Sequence, residues 1–236
     1  MLDELSTLLE AVPADAGRAD YLAAIIEHNA LGKQTVATRK LTAQRLSELY
    51  VLDPNVALFR VLRRFWQDDA AGRPLLALLC SLARDPLLRA TAEPILAMTS
   101  GEELSRQKIT DAIRAAVGGR LNDATLDKVV RNVSSSWAQS GHLQGRTRKF
   151  RQVIRPTPLA TAYALMLGYL EGLRGGRLFE TNWTRGLDAS PAELRNVATE
   201  AKRLNGLDLK SAGDVIEVGF TTVLTPQEIK DSRVAH

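Results

Sequence analysis

Apolar residues recur at helical spacing through the first hundred positions of the chain. Between residues 19 and 32 they fall on one face of a helix, and a glycine ends the stretch. Thr35 is placed to cap the next helix. Asp–Pro steps at Asp53 and Asp85 are placed to separate later helices, because proline fits a first helical turn and restricts the residue before it. This pattern predicts a bundle of antiparallel helices with short connections over residues 1–100.

The next segment predicts two helices joined by a short glycine turn, followed by a hairpin. Ser105 and Asn122 are placed to cap the two helices, and residues 140–156, SGHLQGRTRKFRQVIRP, mix apolar with basic positions and contain two glycines. Helix, turn, helix and basic hairpin follow one another in the order of a winged helix. The side of the second helix opposite its apolar stripe carries Lys128, Arg131, Asn132 and Ser135.

The last third predicts a long apolar helix, a helix started by Ser190-Pro191, and a hairpin around residues 211–213. This second helix-then-hairpin carries the acids Asp208, Asp214 and Glu217 where the first has bases, so we expect it to be a packing module. The predicted fold class is mainly α: an N-terminal helical bundle followed by winged-helix-like helix-turn-helix elements with small β-hairpins. The predicted regions are 1–100, 101–157 and 158–236.

Charge is distributed unevenly along the chain. The formal net charge is +4, but residues 1–32 sum to −5, residues 33–155 to +10 and residues 156–236 to −1. A concentration of positive charge in the middle of the chain favours a polyanionic partner.

Several classes of protein are not indicated. The single cysteine, Cys80, lies in an apolar run and predicts a buried thiol, with no disulfide or cysteine-rich metal site. No phosphate-binding glycine loop, serine elbow or zinc-protease motif occurs, and His28, His142 and His236 lack metal-ligand spacing. We therefore expect no enzymatic activity and no cofactor. The longest uncharged apolar run, 156–170, is shorter than the roughly 20 residues of a membrane span, so we expect a cytoplasmic protein that does not enter the membrane.

The basic residues of the predicted hairpin are the main candidates for binding nucleic acid. Alternation places Lys149 and Arg151 on one face of a strand, where cations could neutralise phosphates. On the preceding helix, Lys128, Arg131 and Asn132 could reach base edges in the major groove. A basic edge strand that merely avoids pairing with neighbours remains an alternative. The candidate hairpin residues are Arg146, Arg148, Lys149, Arg151 and Arg155.

Two further basic clusters lie in the predicted bundle. Lys33, Arg39 and Lys40, with Arg45 nearby, could extend a DNA-binding surface or form a solvated helix face, and the pattern does not decide between these. A third cluster comprises Arg60, Arg63 and Arg64, and for Arg63 and Arg64 we favour the solvated face.

Two stretches of the sequence resemble a known family. The segment HNALGKQTVATRKLTAQRLSELYVLDP resembles the N-terminal block of the BrxA family, a component of BREX bacteriophage-defence systems. The later segment DATLDKVVRNVSSSWAQSGHLQ is similar to a helix of the same family, although Trp137 replaces a smaller aliphatic residue. The resemblance covers roughly residues 20–180. The matching positions are Leu31, Lys33, Thr35, Thr38, Arg39, Leu52, Asp53, Pro54, Thr125, Lys128, Gly141 and Leu143.

The resemblance implies a helical bundle with small β elements that binds double-stranded DNA without catalysis. It also implies other BREX proteins as partners: a methyltransferase, a phosphatase-like protein and an ATPase. The family has carried an inner-membrane label, which the short apolar runs of this chain do not support. Two alternatives stay open: an assembly adaptor whose basic faces meet acidic proteins, and a winged-helix transcriptional regulator, which would require a dimer although no dimerisation helix is evident.

Overall fold

Helices and two small hairpins account for most of the computed structural model, which describes residues 1–213 and 215–234. The predicted mainly α fold class is confirmed. Asp214 and His236 lie outside the described residues. The α-helices in the described part are α1 (Leu2–Ala11), α2 (Arg18–Ile26), α3 (Val36–Tyr50), α4 (Ala57–Asp68), α5 (Arg73–Arg84), α6 (Pro86–Ala90), α7 (Ala92–Leu96), α8 (Arg106–Val117), α9 (Asp123–Gln139), α10 (Pro158–Leu170), α11 (Asn182–Arg185), α12 (Pro191–Arg203) and α13 (Pro226–Val234). A 3-10 helix spans Gly175–Glu180, and the strands are β1 (Leu143–Gln144), β2 (Phe150–Arg151), β3 (Asp208–Ala212) and β4 (Val215–Gly219).

Local capping chemistry starts several helices where the sequence predicts it. The Thr35 hydroxyl accepts a hydrogen bond from the Thr38 amide at 3.1 Å, and the Asp85 carboxylate accepts from two amides at the start of α6. At the other Asp–Pro step, however, α4 begins only at Ala57, so Pro54 lies in the connection rather than in the first turn. The predicted helix 19–32 is also shorter, because α2 ends at Ile26.

A third extended segment, residues 102–104, joins the basic hairpin. Its main chain and that of the preceding Gly101 bond to β2 in antiparallel fashion: the Gly101 amide donates to the Arg151 carbonyl at 2.8 Å, and the Arg151 amide donates to the Glu102 carbonyl at 2.9 Å. An isolated bridge pairs Glu103 with Phe150. The sequence pattern did not predict this segment. Helices α6 and α7, the extended segment, α8, α9, β1 and β2 thus follow one another in a winged-helix-like order, which we call the first unit.

One cluster of buried apolar residues runs from Leu5 in α1 to Leu224 after β4. Helix α10 lies within it, packs against α4, α5 and α12, and buries every residue from Leu159 to Tyr169. This burial accounts for the long uncharged run. Among the described residues, no helix combines the length and the apolar character needed to cross a membrane. The division at residues 100 and 157 stays a prediction.

Candidate nucleic-acid interface

Helix α9 presents the polar side that its sequence predicts. The Asn122 side chain caps it by accepting from the Thr125 amide at 2.9 Å. The opposite side of α9 is buried and consists of Leu126, Val130, Val133 and Trp137. The exposed residues of α9 include the four predicted contacts, Lys128, Arg131, Asn132 and Ser135.

The cations of α8 and α9 divide into paired and unpaired groups. Arg106 bonds to Asp127 at 2.7 Å, Arg114 to Asp123 at 3.2 Å, and Lys108 lies 3.5 Å from Glu102. Within the described part of the chain, neither Lys128 nor Arg131 has a carboxylate partner. Arg120 is also exposed and unpaired there; its place in the turn between the helices was a signal that the sequence reasoning passed over.

The basic hairpin is short, and its cations have different environments. Its strands pair only Leu143 with Arg151 and Gln144 with Phe150. Arg146 and Arg155 are exposed and have no carboxylate partner in residues 1–213 and 215–234. These two side chains are therefore available to phosphates.

Two other hairpin cations are engaged near the surface. Arg148 forms a two-point ion pair with Glu103, with 2.7 Å between Nε and Oε1, and this bond holds the pKa of Glu103 below its usual value. The half-buried Lys149 donates from Nζ to the Gly145 carbonyl at 3.1 Å and has no carboxylate partner in the described part of the chain. Exposed ion pairs are weak, so a phosphate could replace Glu103 as the partner of Arg148.

Arg151 does not belong to the interface, and here the sequence-based assignment is corrected. Its side chain is 2 % exposed. The guanidinium forms a two-point ion pair with Asp188, with 2.9 Å between Nη1 and Oδ2, and Nε donates to the Ile95 carbonyl at 3.0 Å. Alternation therefore places Arg151 on the inner face of β2, where it joins the hairpin to the loop before α12. A buried, fully bonded guanidinium cannot reach a phosphate.

The cluster near α3 is only partly available. Lys33 lies 3.2 Å from Glu4, and Arg39 donates to the carbonyls of Ile26 and Lys33, so both have structural partners. Lys40 is exposed and has no carboxylate partner in the described residues.

A groove of about 330 Å³ lies between α3 and α9. Arg45 and Glu48 line it from α3, while Asn132 and Ser135 line it from α9. Arg45 therefore extends the polar side of α9, whereas Lys33, Arg39 and Lys40 do not line this groove. The sequence could not predict this, because the two helices are far apart in the chain.

The arginines on α4 bond to other parts of the protein, and the expected solvated face at Arg63 and Arg64 is corrected, because Arg63 is buried and Arg64 bonds to the main chain. Arg60 bonds to Glu228 at 2.6 Å. Arg63 is buried and donates to the Val12 carbonyl. Arg64 donates to the carbonyl of Asn205, which lies before β3, and to the carbonyl of Thr222, which lies after β4.

Other candidate chemical groups have structural partners. The Cys80 thiol is buried, and burial raises its pKa to about 12. The buried His142 ring bonds through Nδ1 to the Ser140 hydroxyl at 2.9 Å and through Nε2 to the Gly186 carbonyl at 3.0 Å. Among the described residues, no three His, Cys, Asp or Glu side chains group together in a way that could hold a metal ion.

Comparison with protein-family models, with curated proteins and with solved structures finds no match to this chain.

Proposed function

We propose that the protein binds double-stranded DNA without catalysis, and that it does so as an accessory component of a BREX-type phage-defence system. The observation that carries the DNA-binding part is the exposed side of α9, where Lys128 and Arg131 have no carboxylate partner among the described residues and stand beside Asn132. The defence context rests on the resemblance to the BrxA family. Other BREX proteins are its proposed partners.

Each part of the surface has a distinct role. Lys128, Arg146, Lys149 and Arg155 neutralise phosphates and so supply affinity that falls with salt. Arg131 and Asn132 face the base edges, where arginine suits guanine and asparagine suits adenine. Arg45, across the groove from Asn132, extends the contact to the bundle.

Charge reversal on α9 tests the proposal. We expect Lys128→Glu/Arg131→Glu to weaken duplex binding at least tenfold and to lower the magnitude of the log–log salt slope by about 1, because Lys128 is the phosphate contact of the pair and Arg131 the base contact. Arg18→Glu/Lys230→Glu makes the same change in net charge at exposed sites on α2 and α13 and should bind like the wild type. Fluorescence anisotropy with unrelated duplexes measures both. Equal binding by the α9 variant and this control would remove α9 from the mechanism.

Freeing Arg148 tests the hairpin separately. Glu103→Gln should raise duplex affinity about twofold to threefold at low salt, because it removes a competing anion from an exposed arginine. Glu10→Gln is the matched control, since Glu10 is an exposed acid beside Arg73 at 3.8 Å. An unchanged affinity for Glu103→Gln would exclude Arg148 from the contact.

The second candidate is a protein–protein adaptor. The observation favouring it is the pair of exposed apolar side chains on α3, Val36 at 53 % and Leu41 at 45 % exposure, on the same helix as Lys40. An adaptor would retain partner proteins after nuclease treatment, and Val36→Ser/Leu41→Ser would release them. DNA binding instead predicts a steep salt dependence shared by unrelated duplexes.

A further inference from the structure

The C-terminal part of the chain repeats the order of elements found in the first unit. Helix α10 packs against α11 and α12, as α6 packs against α8 and α9. The 3-10 helix Gly175–Glu180 lies against β4, as residues 102–104 lie against β2 in the first unit. Helix α12 then leads into the antiparallel hairpin β3–β4, as α9 leads into β1–β2. We call α10 to β4 the second unit.

The two helix-to-hairpin segments also align residue by residue. Residues 130–143 and 194–207 can be placed in register without a gap, at a constant separation of 64 positions, and four of these positions carry the same residue. The match includes the tripeptide Arg-Asn-Val, at 131–133 and at 195–197. Both helices are followed by a residue with positive φ, Gly141 at 89° and Asn205 at 55°, and then by a buried leucine that leads into the first strand.

Buried and exposed positions of α9 and α12 also correspond at the same separation of 64 residues. Val130 and Leu194 are buried at equivalent positions, as are Trp137 and Ala201. The exposed positions are also equivalent: Arg131 with Arg195, Asn132 with Asn196, and Ser135 with Thr199. The polar side that we assign to DNA in the first unit therefore occurs a second time on the surface of the molecule.

We propose that α12 is a second duplex-contacting helix and that Arg195, Asn196 and Thr199 are its contact residues. The inference rests on the proposed function, because it transfers the role of the α9 side to the equivalent side of α12. It replaces the interpretation of this part of the chain as a packing module.

The cations of the second unit are compatible with such a contact, and the second unit has fewer of them than the first unit. Arg195 lies over the Phe179 ring at 5.8 Å, and Lys202 donates from Nζ to the Leu209 carbonyl at 2.9 Å; neither has a carboxylate partner in the described residues. Arg203 and Lys210 form exposed pairs with Glu200 and Glu217. The second unit therefore neutralises fewer phosphates, and its loss should change the salt slope less than loss of α9 does.

Paired substitutions on the two helices test the inference in the full-length protein. Arg195→Ala/Asn196→Ala on α12 and Arg131→Ala/Asn132→Ala on α9 should each weaken binding to a duplex several helical turns long by about tenfold. Gln227→Ala/Lys230→Ala removes one amide and one cation from exposed positions on α13 and is the matched control.

A variant that gains affinity is needed as well, because a misfolded variant would also lose binding. Thr199→Arg adds a cation to the exposed side of α12 and should raise affinity about twofold to threefold at low salt, while Gln227→Arg on α13 should not. Wild-type affinity for both α12 variants, with binding lost in the α9 variant, would overturn the second contact and leave the proposed function standing. Absence of binding by the wild type would overturn both proposals.

Discussion

Arg148, Arg151 and Arg155 lie within eight residues of one another, yet their side chains have three different environments. Arg148 is held at the surface by Glu103, Arg151 is buried against Asp188, and Arg155 is exposed. A phosphate can compete with Glu103 for Arg148 and cannot reach Arg151. At Arg155 it meets no competing carboxylate among the residues that the structure describes. Whether a cation is available to a polyanion thus depends on the acids that the fold places beside it.

The Arg151–Asp188 pair is predicted to stabilise the fold rather than to bind DNA. Arg151→Met should lower the free energy of unfolding by about 3–5 kcal/mol, because it leaves a buried carboxylate without its partner. Arg151→Met/Asp188→Asn removes both charges and should recover part of the loss. Urea unfolding followed by circular dichroism measures these changes, and a single variant as stable as the wild type would contradict the role given to the pair.

We expect the buried His142 to make the protein less stable in mildly acidic solution. Burial lowers its pKa to about 4, although the facing carboxylate of Asp188, 4.0 Å away, raises it in part and Arg151 opposes that effect. The unfolded chain has an ordinary histidine pKa of about 6.5. As the pH falls from about 6.5 to 4, the unfolded state takes up a proton on this histidine and the folded state does not. The free energy of unfolding therefore decreases over this range, by about 3 kcal/mol at most.

Urea unfolding at a series of pH values tests this dependence. His142→Gln should flatten the curve between about pH 6.5 and 5, above the range in which ordinary carboxylates titrate. If the variant and the wild type lose stability equally over that interval, the buried imidazole is not the cause.

At the scale of single elements, the short basic hairpin depends on the geometry of its turn. Gly145 has a φ of 122°, and a Cβ at this position would lie 2.0 Å from the Arg148 carbonyl oxygen. An L-residue would therefore force the turn to open. With strands of only two residues, few backbone bonds oppose such a change.

Gly145→Ala is predicted to weaken duplex binding several-fold, because it displaces Arg146 and Arg148 from their positions beside the turn. Gly176→Ala is the matched control: a Cβ at this glycine would meet no other atom within 4 Å, so the site should tolerate alanine. Anisotropy titrations of both variants provide the comparison. Wild-type affinity for Gly145→Ala would show that the hairpin turn does not contribute.

At the scale of the whole molecule, the described residues share one apolar core although the chain contains three sequence-predicted regions. One tryptophan lies in each region: Trp66, Trp137 and Trp183. The core connects them, since α10 packs on the bundle and on α12, and α9 packs on α5. A shared core favours cooperative unfolding of the regions.

Variants that keep a single tryptophan test this cooperativity, with phenylalanine replacing the other two. In each of the three proteins, we expect fluorescence and circular dichroism to give the same urea midpoint, because each region unfolds with the rest. A variant whose fluorescence midpoint departs from its own circular dichroism midpoint would show that its region unfolds independently.

Features that depend on neighbouring residues could be predicted from the amino-acid sequence alone. Helix caps at Thr35, Ser105, Asn122 and Ser190 form as predicted, because each involves a side chain and an amide about three residues away. The mainly α fold class and the exposed side of α9 follow from periodicity for the same reason. The repeat of the Arg-Asn-Val tripeptide was also present in the sequence, but only the common order of the two units made it interpretable.

Only the tertiary structure decided which basic side chains are exposed and free of acids. Arg151 is buried because Asp188 and Ile95, 37 and 56 residues away in the chain, bond to it. Residues 102–104 become extended because β2 pairs with them, and Arg45 meets the polar side of α9 because the bundle packs there. Such contacts depend on long-range packing and desolvation, which no local pattern of residues encodes.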